Sequence, residues 1–421
     1  MSRPSQAIDI LRNRAFINFI LARFFLTLAI QMQMTTIGLQ IYYEYLKNYD
    51  TRESAYILGL TGLYEAIPFI LTSFFSGHMA DKFNRKRLII LSCLALIISS
   101  VILGGISAHK IPFLEALGYY GIFCVVILIG VIRAFLSATM APFMSQLVDR
   151  SQYTTSATWN STVWHIGAIS GPVLAALLYG WSDSAETIYF INILLFLCAT
   201  CCIVIIKYNP PPLEKFGETI WQSLKVGVGF VFKQKILLSA LSLDLFAVLF
   251  GGAVTILPAF NDKILHASPQ AFGILRTAPA VGAVLMAIIM AIKPPNRRAG
   301  FWLLIAVVAF GVFTIGFALC TSYWLAFIML LFTGAFDNIS VVVRHSVLQL
   351  MTPDNMRGRV SAVNSIFIGS SNEIGGFESG VAARIMGLVP SIIFGGGMTI
   401  LVVAIVDRLN PRLKKLDLTK M

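Results

Sequence analysis

Gly77-His78-Met79-Ala80-Asp81-Lys82-Phe83-Asn84-Arg85-Lys86-Arg87 is a short basic break between two long apolar runs, at about 54–79 and 87–107. An apolar run of about 20 residues is long enough, as a helix, to cross a hydrocarbon core roughly 30 Å thick. Ten further runs lie outward from this break, at about 15–45, 118–146, 154–181, 186–206, 236–261, 270–292, 299–319, 323–350, 358–385 and 389–407. They are continuous, unlike the alternating ten-residue segments of a closed barrel, so they predict helices. The expected fold is all-α and integral to the membrane, with twelve transmembrane helices.

Composition excludes an ordinary soluble protein. The 421 residues are 57% hydrophobic and only 12% charged, with a mean hydropathy of +0.79, whereas a soluble chain is about a quarter charged. The net charge of +12 is spread over short breaks and forms no single basic patch, so the expected partner is the lipid bilayer and not nucleic acid. Lys and Arg crowd the N-terminus, the alternate loops beginning with Lys82–Arg87, and the C-terminus. The opposite loops hold only Lys47, Arg52, Lys110, Lys263 and Arg384. That bias predicts cytoplasmic termini and an inner-membrane, multi-pass protein. Met1–Arg14 is polar, carries Arg3, Arg12 and Arg14, and has no small-residue cleavage site, so no cleaved signal peptide is expected.

Neither a metal nor a cofactor is expected. All six cysteines lie in apolar runs as small hydrophobes, and the Cys198, Cys201, Cys202 cluster lacks a histidine or carboxylate companion. No phosphate-binding Walker loop, zinc-helix motif or nucleophile elbow is present, so neither ATP drive nor enzymatic hydrolysis has support.

The longest polar break, 207–235, opens with Pro210-Pro211-Pro212 and contains the amphipathic stretch Trp221–Phe232. It is expected to be a cytoplasmic linker with a short helix at the membrane surface, with an unstructured tether as the alternative. It divides an N-terminal six-helix bundle, 1–206, from a C-terminal one, 236–421. An internal echo suggests that the halves are related. The register shift that lays Asn160-Ser161 on Asn364-Ser365 also lays Gly171 on Gly375, at equivalent places in the fifth and eleventh spans.

Within the opening stretch, Gly77 permits close helix approach. Asp81, four residues on at a helix end, can meet the positive end of a neighbouring helix or pair with Arg85. This pattern resembles the signature loop of the major facilitator superfamily, in which the aspartate and arginine latch the two halves in the outward-facing state. The resemblance covers nearly the whole chain. Arg133 aligns with that superfamily's buried fourth-helix arginine, and Asp149, at the end of the same span, is a candidate third member of the latch. Gly167-Ala168-Ile169-Ser170-Gly171-Pro172 is similar to the glycine-proline motif of superfamily antiporters, in which small residues let helices touch and the proline bends the span. Leu58-Gly59-Leu60, Glu65-Ala66-Ile67-Pro68-Phe69 and Thr352–Ser365 look like the enterobactin-exporter-like branch, which exports siderophores or drugs. One departure stands out: Lys293-Pro294-Pro295-Asn296-Arg297-Arg298 is basic but lacks the aspartate that would repeat Asp81.

Ionisable groups inside a membrane are costly unless paired or hydrated. The candidates for proton coupling, in order, are Asp337, Glu373, Glu378 and Asp244, with structural pairing as the alternative for each. Asp337 and Arg344 share a face two turns apart, too far for an easy direct pair, and so are expected to have different partners. Arg344 and Arg23 are expected to snorkel towards the cytoplasmic surface. Glu373 and Glu378 point roughly 140° apart and cannot share one pocket face. Candidate substrate-cavity residues are Gln31, Thr35, Glu65, Arg133, Asn160, Trp164 and Asn364, a set of amides, charges and a ring suited to a polar, ring-bearing molecule. Glu65 is equally open as a hydrogen-bonding group at the Pro68 bend, and His165 reads as a packing histidine.

The resemblance implies a monomeric secondary transporter that exports a small organic molecule by alternating access, with protons as the coupling ion. The alternative is a lysophospholipid flippase of the same superfamily. A non-transporting scaffold or an embedded enzyme is more remote.

Overall fold

The computed structural model describes residues 10–149, 152–208, 220–251, 254–292, 297–353 and 356–418; within those ranges the side chains of some helical residues, Asp81 and Glu373 among them, lie outside the described set. Every regular element among the described residues is a helix. The long ones are α1 (Arg14–Gln40), α2 (Thr51–Lys82), α3 (Arg85–Ser107), α4 (Tyr119–Ser145), α5 (Tyr153–Ser182) and α6 (Ala185–Ile205). They are followed by α7 (Ile220–Lys233), α8 (Lys235–Phe250), α9 (Leu257–Lys263), α10 (Pro269–Ile292), α11 (Ala299–Ala318), α12 (Tyr323–Met351), α13 (Arg357–Met386) and α14 (Leu388–Leu409).

Their starts follow local chemistry. The Asn13 side chain caps α1 by accepting from the amides of Ala15 and Phe16, Asn84 caps α3 at Arg87, and Ser184 caps α6 at Glu186. Gly387, at φ 94°, takes the left-handed conformation that joins α13 to α14.

Ten helices among the described residues are long and apolar enough to cross a membrane. The remaining two of the twelve spans have physical reasons for falling short. α13 carries Arg357, Arg359, Glu373, Glu378 and a run of Ser and Asn, so it is the least apolar span. The seventh span, expected to be continuous over 236–261, is instead broken. α8 stops at Phe250, and a separate helix, α9, begins at Leu257 with Pro258 in its first turn. Gly251 ends the first piece, and Pro258 opens the next, in the first turn where its missing N–H has no helical partner to lose. The amphipathic stretch forms α7, which bends by 102° into α8. The Pro210–Pro212 segment lies outside the described residues.

The chain forms two compact units, Met1–Tyr45 with Ile67–Phe216, and Leu46–Ala66 with Gly217–Met421. Inside the first, α1 packs on α5 and α6, and α3 packs on α4 and α6. Inside the second, α8 packs on α13 and α14, and α11 packs on α12 and α14. These are the same four pairings displaced by six spans, which is the packing signature of an internal repeat. The first half of α2 packs in the second unit, where Gly59 and Gly380 sit back to back and a Cβ on either would stand 2.8 Å from the other's Cα.

Lipid tails are as apolar as leucine, so helices in a membrane associate through close packing at small residues. One such seam joins α10 to α12. A Cβ at Gly282 would run into the Leu331 carbonyl, and one at Gly334 into the Pro279 carbonyl. Both obstacles are backbone and cannot rotate away. Gly334→Val is therefore expected to cost towards the upper end of the ~1–3 kcal/mol range for overpacking. Thermal unfolding in detergent checks this, with exposed Gly397→Ala, which has open space around it, as the unaffected control.

Candidate functional site

The basic turn after α2 serves as a clamp on helix ends. Arg85 Nε donates to the Ala80 carbonyl at 3.1 Å, and Lys86 Nζ donates to the carbonyls of Val204 at 2.8 Å and Ile206 at 2.7 Å. The last carbonyls of a helix are unsatisfied and carry its negative dipole end, so cations belong there. One turn thus holds the C-terminal ends of both α2 and α6. Gly77 lies in the last two turns of α2; the side chain of Asp81 lies outside the described residues. Asp149 is exposed beyond the end of α4. Nearby, Asn13 donates to the Leu147 carbonyl at 2.9 Å and the Tyr208 hydroxyl donates to Gln146, tying both ends of the first unit to α4. Lys293–Asn296, part of the stretch that lacks a second aspartate, lies outside the described residues.

Gly167 and Gly171 of α5 lie against α1. A Cβ at Gly167 would meet Thr27 Cβ at 3.0 Å, and one at Gly171 would meet Gln31 Cβ at 2.6 Å and the Leu28 carbonyl at 2.9 Å. Pro172 is buried within α5. The repeat-related Gly375 of α13 meets the backbone of α8 in the same way, at the carbonyls of Val248 and Leu249, 2.8 and 2.9 Å away. The glycines at equivalent positions therefore do one job in both units, which is to let the first and fifth spans of each half touch backbone to backbone.

The polar residues of α1 divide by face. Gln33, Thr36 and Gln40 are fully buried: Gln33 donates to Ser100 at 3.1 Å, and Gln40 donates to Glu44 while accepting from the Tyr189 hydroxyl, both at 2.8 Å. Glu44 also accepts from Ser107 at 3.0 Å. This network joins α1, α3 and α6, and its signal in the sequence is an amide and a carboxylate four residues apart, one helical turn. Gln31 and Thr35, on the other face, are half-buried and take no part in it. Arg133 on α4 is half-buried, and Trp164 on α5 is exposed beside His165, edge to face at 4.9 Å.

Asn160 and Asn364, the pair related by the internal echo, share a further property. The side-chain oxygen of each is buried and has no hydrogen-bond partner among the described residues. A buried amide oxygen without a donor costs about 1–3 kcal/mol. Both positions are therefore poised to accept a hydrogen bond.

The second unit holds the buried charges. Asp244 of α8 and Arg344 of α12 form an ion pair in which each side chain is less than a tenth exposed. This corrects the expectation that Arg344 snorkels: a carboxylate on the facing helix satisfies it inside the bundle, so its charge does not have to reach the surface. Arg23 is half-buried, with its Nε enclosed. Asp337, two turns from Arg344 on the same helix, has no ion pair among the described residues. Close to it along the helix, the side-chain oxygens of Asn338 and Ser340 are buried and have no hydrogen-bond partner among the described residues. Glu378 is half-buried on α13, and the side chain of Glu373 lies outside the described residues. Glu65 is 2% exposed, one turn before Pro68 in α2. At the helix ends that the charge bias assigns to the opposite side, Arg384 pairs with Glu53 at 3.2 Å and lies over the Tyr56 ring, and Lys263 donates to the Lys47 carbonyl.

A repeated six-helix packing, a basic clamp after the second span and charges buried in the bundle are the arrangement expected of a transporter built from an internal repeat. The chain belongs to the Major Facilitator Superfamily, whose family model matches residues 19–376. It is accordingly a multi-pass membrane transporter and not an enzyme. It is 21% identical over 375 residues to the staphyloferrin A transporter of Staphylococcus aureus (strain NCTC 8325 / PS 47), covering 86% of this chain and 90% of that protein. It is 22% identical over 382 residues to the multidrug efflux pump Tap of Mycolicibacterium fortuitum, covering 87% and 90%. Its fold matches the crystal structure of a D-xylose-proton symporter with a TM-score of 0.72 at 16% identity, over 97% of this chain and 100% of that one. An auto-inhibited POT family peptide transporter matches at 0.68 and 13%, over 96% and 98%.

Proposed function

We propose that this transporter exports a small polar organic molecule, of siderophore or drug-like class, across the inner membrane in exchange for protons, as a monomer with both termini cytoplasmic. The observation that carries the reading is Asp337, a carboxylate inside a transmembrane helix whose nearest same-face cation, Arg344, is already engaged by Asp244. A carboxylate in that setting is costly when charged unless it is paired or hydrated, and so calls for a task. Glu378 and Glu373 are second choices. Asp244 ranks last because its charge is balanced in place.

Substrate contacts are assigned to Gln31, Thr35, Arg133, Asn160 and Trp164 in the first bundle, with Asn364 and Glu65 as further candidates. The gate is assigned to Gly77, Asp81, Arg85 and Asp149, and the pivot to Gly167, Gly171 and Pro172. The boundary between bundles is placed at 207–235. The export direction is supported by the antiporter-like glycine-proline motif and by the name of one relative, a multidrug efflux pump; the siderophore class is supported by the other, the staphyloferrin A transporter.

Everted membrane vesicles test the reading directly. Siderophores, drugs and lysophospholipids are offered with and without an imposed proton gradient. Gradient-dependent uptake of a siderophore or drug is the expected result. Lipid movement indifferent to the gradient would overturn it in favour of the flippase. Asp81→Asn is expected to insert normally and to lower the uptake rate, through loss of the latch.

A further inference from the structure

A cavity of about 500 Å³ lies between α11 and α14 of the second unit, within the roughly 300–1,000 Å³ typical of ligand sites. One wall is a single stripe of α11 that runs from Phe301 to Phe313 at intervals of three and four residues. The other is Ile400, Val403, Ala404 and Asp407 of α14, and Lys414 stands at one end. The proposed transport cycle uses none of these residues, and a role for the groove requires only that the chain sit in a membrane.

Two features identify the occupant. The first is length. From Phe301 to Phe313 the helix rises about 18 Å, close to the ~15 Å of one leaflet's share of the hydrocarbon core. The deep end stops at an aromatic cluster, where Phe313 stacks on Phe332 at 4.8 Å and Phe336 at 5.5 Å. A groove one leaflet long, apolar along its walls and charged at one end has the shape of a lipid chain with its headgroup.

The second is the sign of the charged end. Lys414 Nζ lies 3.7 Å from Asp407 Oδ2, so the carboxylate offsets this lysine only in part. Arg408, Arg412 and Lys415 are exposed on the same segment. The start of α11 is brought to it as well, because Gly300 abuts the Leu413 carbonyl, and α11 carries Arg297 and Arg298 just before its positive dipole end. Against these cations stand Asp407 and Asp417. The balance favours a phosphate without an accompanying cation, which the ammonium of a zwitterionic headgroup would supply.

We propose that the groove between α11 and α14 seats one acyl chain of an anionic phospholipid, whose phosphate is held by Lys414 and the neighbouring arginines.

The test uses the full-length protein in nanodiscs of phosphatidylglycerol and phosphatidylcholine, released into the gas phase for native mass spectrometry. Wild type is expected to retain one phosphatidylglycerol in preference to phosphatidylcholine. Ala309→Trp fills the groove and is expected to abolish the preference. Because that variant can also distort α11, two surface variants accompany it. Lys414→Gln is expected to weaken retention about fivefold, the effect of one cation near a headgroup. Asp407→Asn removes the competing carboxylate and is expected to strengthen retention, an effect that general damage would not produce. Equal retention of the two lipids overturns the proposal. So does retention that none of the three variants changes, or a dimer that Ala309→Trp dissociates without altering lipid retention.

Discussion

Arg344→Ala is expected to destabilise the folded protein by about 3–5 kcal/mol, because it leaves the Asp244 carboxylate buried without its counter-charge. Asp244→Ala should do the same in reverse. Both side chains are almost wholly enclosed and come from different helices, α8 and α12, so water cannot readily take the missing partner's place. The pair itself need not add net stability, since desolvation of two ions offsets most of their attraction. The decisive variant is therefore the double replacement Asp244→Leu with Arg344→Met, which is expected to lose less than either alanine variant alone. Thermal unfolding in detergent reads all three. Losses that simply add in the double variant would show that the two groups act independently.

Asp337→Asn is expected to abolish gradient-driven accumulation while leaving the protein folded and able to bind its substrate. The replacement keeps the shape and loses the ability to ionise. If one proton is exchanged per substrate, a pH difference of one unit supports about tenfold accumulation. Everted vesicles carrying Asp337→Asn should then fall to the level seen without a gradient, while substrate exchange at equal pH persists. Wild-type accumulation in the variant would remove Asp337 from the coupling role and pass it to Glu378 or Glu373. Loss of exchange as well as accumulation would assign Asp337 to substrate binding instead.

These two carboxylates mark how far the site was legible from the sequence. That Asp244, Asp337 and Arg344 lie within membrane spans follows from hydropathy alone, and a charge in that position calls for a partner or a task. Which carboxylate serves Arg344 did not follow. Asp244 is separated from it by intervening spans, and only the packing of α8 against α12 brings the two together. The same holds for Gln40, Glu44, Ser107 and Tyr189, where three helices contribute to one network. Glycine spacing was more informative. Gly171 and Gly375 were paired by a register shift, and each meets the backbone of the first helix in its half.

Twelve helices, their repeated halves and membership of a transporter superfamily were determined by the sequence, because hydropathic length, charge bias and a local turn motif involve residues that are neighbours along the chain. The break in the seventh span was only half-signalled, by Gly251 and Pro258, since short-range chemistry weakens a helix there without dictating where the next begins. Tertiary structure alone decided that Arg344 is neutralised inside the bundle, that Arg85 and Lys86 clamp the ends of two helices, and that an apolar groove with a basic end opens between α11 and α14. Each of those depends on which surfaces of distant helices meet. In a membrane that choice rests on close packing and on the partners that buried polar groups find across the seam, neither of which the linear order of residues displays.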